Sequence, residues 1–238
     1  AQLQSLFESL RAKEQEASWK LSNQGPELGD LVGAVLGDKR IWKKREKQEQ
    51  KAGFQKNPKL LHFVFDLSAS MSRFDGFDQR LQREMEVANA LKTALDGVSD
   101  KYEATFVGHS GGRPEIDLGD GQPGQLMQGI ARSSVTGDST LEAIQRAVER
   151  AADPARPADD RLVFVFSDAN LGRYGVSAEV LEDAWSSEQS VTTHIIFLAE
   201  PEAAGYLVEQ LPEGRASVLQ DTSQLSLVFR NVLREFLQ

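Results

Sequence analysis

Three stretches of this chain are mostly apolar without regular polar alternation: LLHFVF at 60–65, RLVFVFS at 161–167 and VTTHIIFLA at 191–199. A strand with one face in water alternates apolar and polar residues, and these do not. They fit parallel strands covered on both faces. Around them run segments of helical period. QRLQREMEVANALKTALDG sets Leu81, Met85, Ala88, Leu91 and Leu95 in register and stops at Gly97. TLEAIQRAVERAA turns Leu141, Ile144, Val148 and Ala151 inward. YEATFVG adds a strand, and the Gly- and Pro-rich stretch 108–124 is expected to hold a turn with a short edge strand at 115–118. The last helix opens on the capping box Asp221-Thr-Ser-Gln224 and carries Leu225, Val228, Phe229, Val232 and Phe236. Strands alternating with helices predict an α/β fold: a doubly wound, mostly parallel open sheet with helices on both faces.

Residues 1–58 differ in character and are expected to form a helical lead-in, with the α/β domain at 59–238. LQSLFESLRAKEQEASWK reads as a helix with Leu3, Leu6, Phe7 and Leu10 on one face. After the break at Asn23-Gln24-Gly25-Pro26 comes the amphipathic piece ELGDLVGAVLG, then KRIWKKREK, six basic residues in nine. That run reads as a solvated arm, with docking to an acidic surface as its functional alternative. The lead-in has too little apolar surface for a core of its own and is expected to pack on the α/β domain. The chain starts at Ala1 without a signal-peptide pattern, compatible with a piece cut from a longer polypeptide.

Composition narrows the function. A net charge of −9 argues against nucleic acid as the main partner. No apolar run approaches the roughly 18 residues of a membrane span. The absence of cysteine excludes disulfides and thiolate metal sites and fits an intracellular protein.

In doubly wound sheets, ligands bind beyond the carboxyl ends of the strands, where strand order reverses. Asp66-Leu67-Ser68-Ala69-Ser70 follows the first buried strand, Ser167-Asp168-Ala169-Asn170 follows a later one, and Gly137-Asp138-Ser139-Thr140 opens the helix before it. Each alone has a plain structural reading, as turn or cap residues. Together they bring two carboxylates and several hydroxyls to one rim with no His or Cys in the set. All-oxygen donors suit a hard divalent cation, Mg²⁺ or alternatively Mn²⁺, rather than zinc or copper.

The spacing D-x-S-x-S, with Thr140 at a helix start and Asp168 after a later strand, resembles the metal-ion-dependent adhesion site of von Willebrand factor A domains, over about residues 59–238. The resemblance implies that Ser68, Ser70 and Thr140 offer hydroxyl oxygens to the ion. Asp66 and Asp168 would act largely through bound waters, and an Asp or Glu of a partner would complete the shell. Ala69 departs from the glycine common there. VGHSGG (107–112), TGDSTLEAI (136–144), FSDANLGRYGV (166–176) and the lead-in ELGDLVGAVLGDKRIWKKR look like family members tethered to ring-forming AAA+ ATPases. This likeness implies a AAA+ ring, in cis or in trans, as partner. It also implies a mitochondrial, matrix-side location, or a cytoplasmic one in a bacterium. The chain itself has no G-x-x-x-x-G-K-[ST] loop, so it is read as a binding domain and not an enzyme.

The rival reading is an α/β serine hydrolase built on Ser110, Asp168 and His194. Gly108-His109-Ser110-Gly111-Gly112 is a literal G-x-S-x-G, followed by Asp and His in the hydrolase order. Against it, Gly-Gly-Arg-Pro-Glu starts no helix and His194 sits inside a strand pattern. His109 and Ser110 are better placed beside the metal rim. Asn170, Arg173 and Tyr174 are candidates for supporting the site or facing a partner, while Trp185 and His62 read as interior residues.

Overall fold

The computed structural model of the protein describes residues 2–15, 19–22, 27–28, 42–45, 57–119, 121–134, 137 and 139–236. Two compact units divide the chain: one joins Ala1–Glu8 to Lys56–Gln238, and the other is Ser9–Gln55. The first helix, α1 (Gln2–Gln15), ends earlier than its sequence pattern predicts. Trp19-Lys-Leu-Ser22 alternates apolar and polar residues and forms strand β1 (Trp19–Ser22) instead of continuing the helix. With β2 (Glu27–Leu28) and β3 (Trp42–Arg45) it makes an antiparallel sheet in the order β1-β3-β2. The backbone of Trp42–Arg45, within the basic run, is therefore a central strand and not an arm. The rest of ELGDLVGAVLG, beyond Leu28, lies outside the described residues.

In the main unit the elements follow as β4 (Lys59–Asp66), α2 (Ala69–Asp78), α3 (Arg80–Asp96), β5 (Tyr102–Ser110) and β6 (Arg113–Asp117). Next come α4 (Pro123–Ser133), α5 (Thr140–Ala151), β7 (Arg161–Ser167), a 3₁₀ turn (Asn170–Tyr174), α6 (Ala178–Ser186) and β8 (Thr192–Phe197). The chain closes with α7 (Pro201–Gln210), β9 (Ala216–Val218) and α8 (Leu225–Phe236). The sheet order is β6-β5-β4-β7-β8-β9, with β6 antiparallel and the other neighbours parallel. Strand order reverses between β4 and β7, so the crevice for a ligand falls beyond Asp66 and Ser167.

The uniform apolarity of β4 and β7 has its reason in two different cores. One face is aliphatic: Val64, Val107, Val163, Val165, Ile195 and Phe197 meet Ile144, Val148, Leu181 and Trp185 from α5 and α6. The other is aromatic. Phe65 stacks on Phe166 at 4.8 Å, Phe63 on Phe164 at 5.4 Å, and Phe229 of α8 covers Phe164 at 4.9 Å. Beside this core Leu3, Leu6 and Phe7 of α1 are buried, with Phe7 edge-on to Tyr102 at 5.2 Å.

Candidate functional site

The rim is assembled from the ends of adjacent strands, spaced about 4.8 Å apart. The register Phe65↔Phe166 places Asp66 at the end of β4 next to Ser167, with Asp168 one residue further along. Both carboxylates are buried, at 2% and 7% exposure. Asp66 Oδ1 accepts the Ser68 amide at 2.9 Å, an Asx turn that swings the chain out of the strand. Leu67 donates its amide to the His109 carbonyl at 2.8 Å and buries its side chain where β5 has Gly108; any Cβ there would clash with it. The turn is thus bolted to the sheet, and α2 starts at Ala69. Ala69 needs no glycine-like backbone, since the only positive-φ non-glycines among the described residues are Gln79 and Ala169.

The two serine hydroxyls that result share a hydrogen bond at 2.8 Å, the ordinary O–H···O distance. Adjacent ligands of an octahedral Mg²⁺ at 2.0–2.1 Å are separated by about 3 Å, so an ion could replace that hydrogen bond with little movement of the two oxygens. Thr140, fully buried, is the first residue of α5. Its position is fixed by the loop before it. Ser139 does not cap the helix but accepts the Gly112 amide at 3.1 Å, and Gly137 (φ 146°) lies so close that a Cβ would come within 3.2 Å of Gly111 Cα. The start of α5 is therefore held against the end of β5.

Asp168 is held from two sides. Asn170 donates its amide to Oδ1 and its side-chain NH₂ to Oδ2, each at 2.9 Å. Arg80 Nη1 donates to Oδ2 at 2.6 Å. Tyr174 is exposed (43%), and nothing is described for the Arg173 side chain.

Sequence reasoning missed two members of this rim. Glu84 of α3 is wholly buried, and its Oε1 accepts the Asp66 amide at 2.8 Å where β4 and β7 part. It sits three residues after Leu81 and four before Ala88, on the buried face, so the helical register itself carried the signal. Arg80 had no such signal; it is recognisable only once the chain turns at Gln79. Electrostatics follow from the crowding. Burial, and then the charge of Asp168, push the Asp66 carboxyl above its ordinary range, although His109 opposes this. Burial and then Asp66 push Glu84 well above its own. Orphaned polar atoms collect here as well: Glu84 Oε2, both His109 ring nitrogens and Ser167 Oγ are buried without a hydrogen-bond partner. The site of a divalent cation would have this chemistry, with oxygen donors and excess negative charge. Among the described residues no group of three or more His, Cys, Asp or Glu is arranged to hold a metal, so any ion here would depend on the hydroxyls.

His109 and Ser110 are buried at 0% and 3% exposure, and neither faces outward. The hydrolase constellation does not assemble. Ser110 is followed by a tight turn into antiparallel β6, not by a helix. His194 lies on β8, three strands away from β5, or about 14 Å at ordinary strand spacing. Both of its nitrogens are engaged within that corner.

Strand order and the single antiparallel edge match a von Willebrand factor A-like, doubly wound α/β fold. The chain is similar to von Willebrand factor A domain-containing protein 8 of Mus musculus, at 30% identity over 97% of this chain and 13% of the relative. The chain therefore spans only a small part of that relative's length. Among solved structures, an aerotolerance-related membrane protein of Bacteroides fragilis shares the fold, with a TM-score of 0.52 and 14% identity over 74% of this chain and 99% of that one. A von Willebrand factor type A structure from Catenulispora acidiphila matches with a TM-score of 0.41 and 16% identity, over 74% of this chain and 42% of that one. No family model matches the chain.

Proposed function

We propose that the main unit is a Mg²⁺-dependent protein-binding module. Ser68, Ser70 and Thr140 would hold the ion through their hydroxyls, and Asp66 and Asp168 largely through bound water, with Mn²⁺ as the alternative metal. When bound, the ion offers a Lewis-acidic position to an Asp or Glu of a protein partner. The observation that carries this reading is the Ser68–Ser70 hydroxyl pair at 2.8 Å, set beside buried carboxylates from two neighbouring strands. A carboxylate meeting a dication in a partly dry cleft gains far more than an exposed ion pair, worth about 0–1 kcal/mol. Near the rim, Phe74 (41%), under the Arg80 guanidinium, and Tyr174 (43%), in the turn after Asp168, offer apolar surface to a partner, with Phe77 (92%) exposed further along α2.

The likeness of the lead-in and rim motifs to ATPase-tethered family members supports a AAA+ ring, in cis or in trans, as that partner, and with it a mitochondrial location. The acidic charge argues against nucleic acid. Among the described residues no helix is long and apolar enough to cross a membrane. No residue of the chain is assigned a catalytic role.

The test is calorimetric titration of Mg²⁺ into the metal-stripped chain and into Asp66→Ala, with circular dichroism to check the fold. Binding by the wild type and none by a folded Asp66→Ala is expected. Undiminished affinity in the variant refutes the assignment.

A further inference from the structure

Arg80 is the only cation that the structure pairs with a carboxylate of the rim among the described residues. Its guanidinium is shared. Nη1 reaches Asp168 Oδ2 at 2.6 Å, Nε reaches the two oxygens of Asp78 at 2.9 and 2.8 Å, and Nη2 pairs with Asp78 as well. The guanidinium carbon lies 5.2 Å over the Phe74 ring. Its side chain is 13% exposed and that of Asp168 is 3% exposed, so the pair is mostly shielded from solvent. Arg80 is aimed inward by a backbone device. Gln79, at φ 55° and ψ 29°, breaks α2 from α3 in a left-handed conformation that non-glycine residues adopt only at a cost. Such turns persist where the surroundings enforce them, and they gather at ligand clamps.

Asp168 Oδ2 already accepts two donors, Arg80 Nη1 and Asn170 Nδ2. A cation drawing on that oxygen must share it with, or take it from, the guanidinium. Asp78 makes the exchange cheap, because an Arg80 that lets go of Asp168 keeps its salt bridge with Asp78 and its place on Phe74. We infer that Arg80 is a tethered internal cation that competes with the metal for Asp168 and so lowers the affinity of the site. This rests on the metal-binding reading above, and it adds a residue that sets how much divalent ion the module needs before it can engage a partner.

The experiment is Mg²⁺ titration of the full 238-residue chain, stripped of metal, as wild type, Arg80→Met and Arg80→Lys. Arg80→Met keeps an apolar stem for Phe74 and removes the charge. It is expected to bind Mg²⁺ about tenfold more tightly, the factor expected if one ion pair worth about 1.4 kcal/mol is no longer opposing the ion. Arg80→Lys, with a point charge in place of the planar fork, is expected to lie between the two. A second readout uses the wild type alone: the Arg80 Nε–H resonance should shift on saturation with Mg²⁺, as its environment loses Asp168. Equal or weaker binding by a folded Arg80→Met, or a resonance that stays put while Mg²⁺ binds, overturns the competition and leaves the metal site standing. Binding by none of the three chains overturns both.

Discussion

Two histidines buried in the same sheet live in opposite circumstances. His194 of β8 donates Nδ1–H to the Gly214 carbonyl at 2.8 Å and accepts the Ser217 hydroxyl on Nε2 at 3.0 Å. His109 of β5, registered beside Asp66, is equally buried and has no hydrogen-bond partner on either ring nitrogen. In the first corner both ring nitrogens of the histidine are answered by the chain. The second lies within a cluster of polar groups, Glu84 and Ser167 among them, that the fold buries without answering. A native protein tolerates few such groups, and the desolvation they suffer costs about 1–3 kcal/mol apiece. Other such atoms lie elsewhere, Thr193 Oγ1 on β8 among them, but Glu84 Oε2, both His109 nitrogens and Ser167 Oγ gather around the two acidic strand ends, and the proposed function reads that part of the sheet as built for a ligand.

Substitutions at the two corners test that reading. The largest effect is expected at the first. His194→Leu would strand the Gly214 carbonyl and Ser217 hydroxyl and should cost about 2–4 kcal/mol in urea unfolding, with each orphaned partner worth roughly 1–3 kcal/mol. A loss below about 1 kcal/mol would mean that the bonds contribute little and that the contrast is empty. The same residue governs acid behaviour. Burial first, then Arg215, lower the His194 pKa from 6.5 to about 4, against the opposing bond to Gly214. The folded state thus binds fewer protons than the unfolded state between those values. The contribution is complete above pH 6.5 and is lost as pH falls towards 4, on the order of 3 kcal/mol in total. His62, lowered likewise to about 4 by burial, adds to the slope. A His194→Leu chain should show a flatter acid limb.

Glu84→Gln, measured in chelator, comes next, with the opposite sign. A folded carboxyl whose pKa is raised binds more protons than the unfolded one, so it removes stability as pH rises above the unfolded value of 4.5. The amide keeps an acceptor for the Asp66 amide and carries no charge to desolvate. Glu84→Gln should therefore be the more stable chain at about pH 7.5, with the gap closing towards pH 4.5. A chain destabilised at both pH values would show that the charge is answered after all.

The smallest effect belongs to His109→Leu, expected within about 1 kcal/mol of wild type in either direction, since no hydrogen bond is lost. If it destabilises as much as His194→Leu, the two corners are alike.

Much of this architecture is legible in the amino-acid sequence, for reasons that can be named. The strands β4, β7 and β8 declare themselves because burial on both faces leaves no room for polar alternation, and α3, α5 and α8 because one apolar face repeats with helical period. Helix α2 escapes because only Ala69 and Met71 of its ten residues are buried, so no periodic face exists to see. Helix α4 carries two glycines and a proline, and β9 has three half-buried residues; both are invisible to pattern. The helix expected to run through Lys20 stops at Gln15 because Trp19 and Leu21 fit a strand. At the site, Asp66, Ser68, Ser70, Thr140 and Asp168 stand out because strand ends and helix starts are marked in sequence. Arg80 and Glu84 do not, since what matters about them is whom they meet across the fold.

Residues 1–8 travel with the main unit, although 47 residues intervene before the chain rejoins it. Anyone trimming the polypeptide to its recognisable α/β portion would discard Phe7, a ring with no solvent exposure, and uncover Tyr102 at the foot of β5. Such a shortened product should be prone to clumping and slow to crystallise, whereas one that retains the opening helix keeps its own lid.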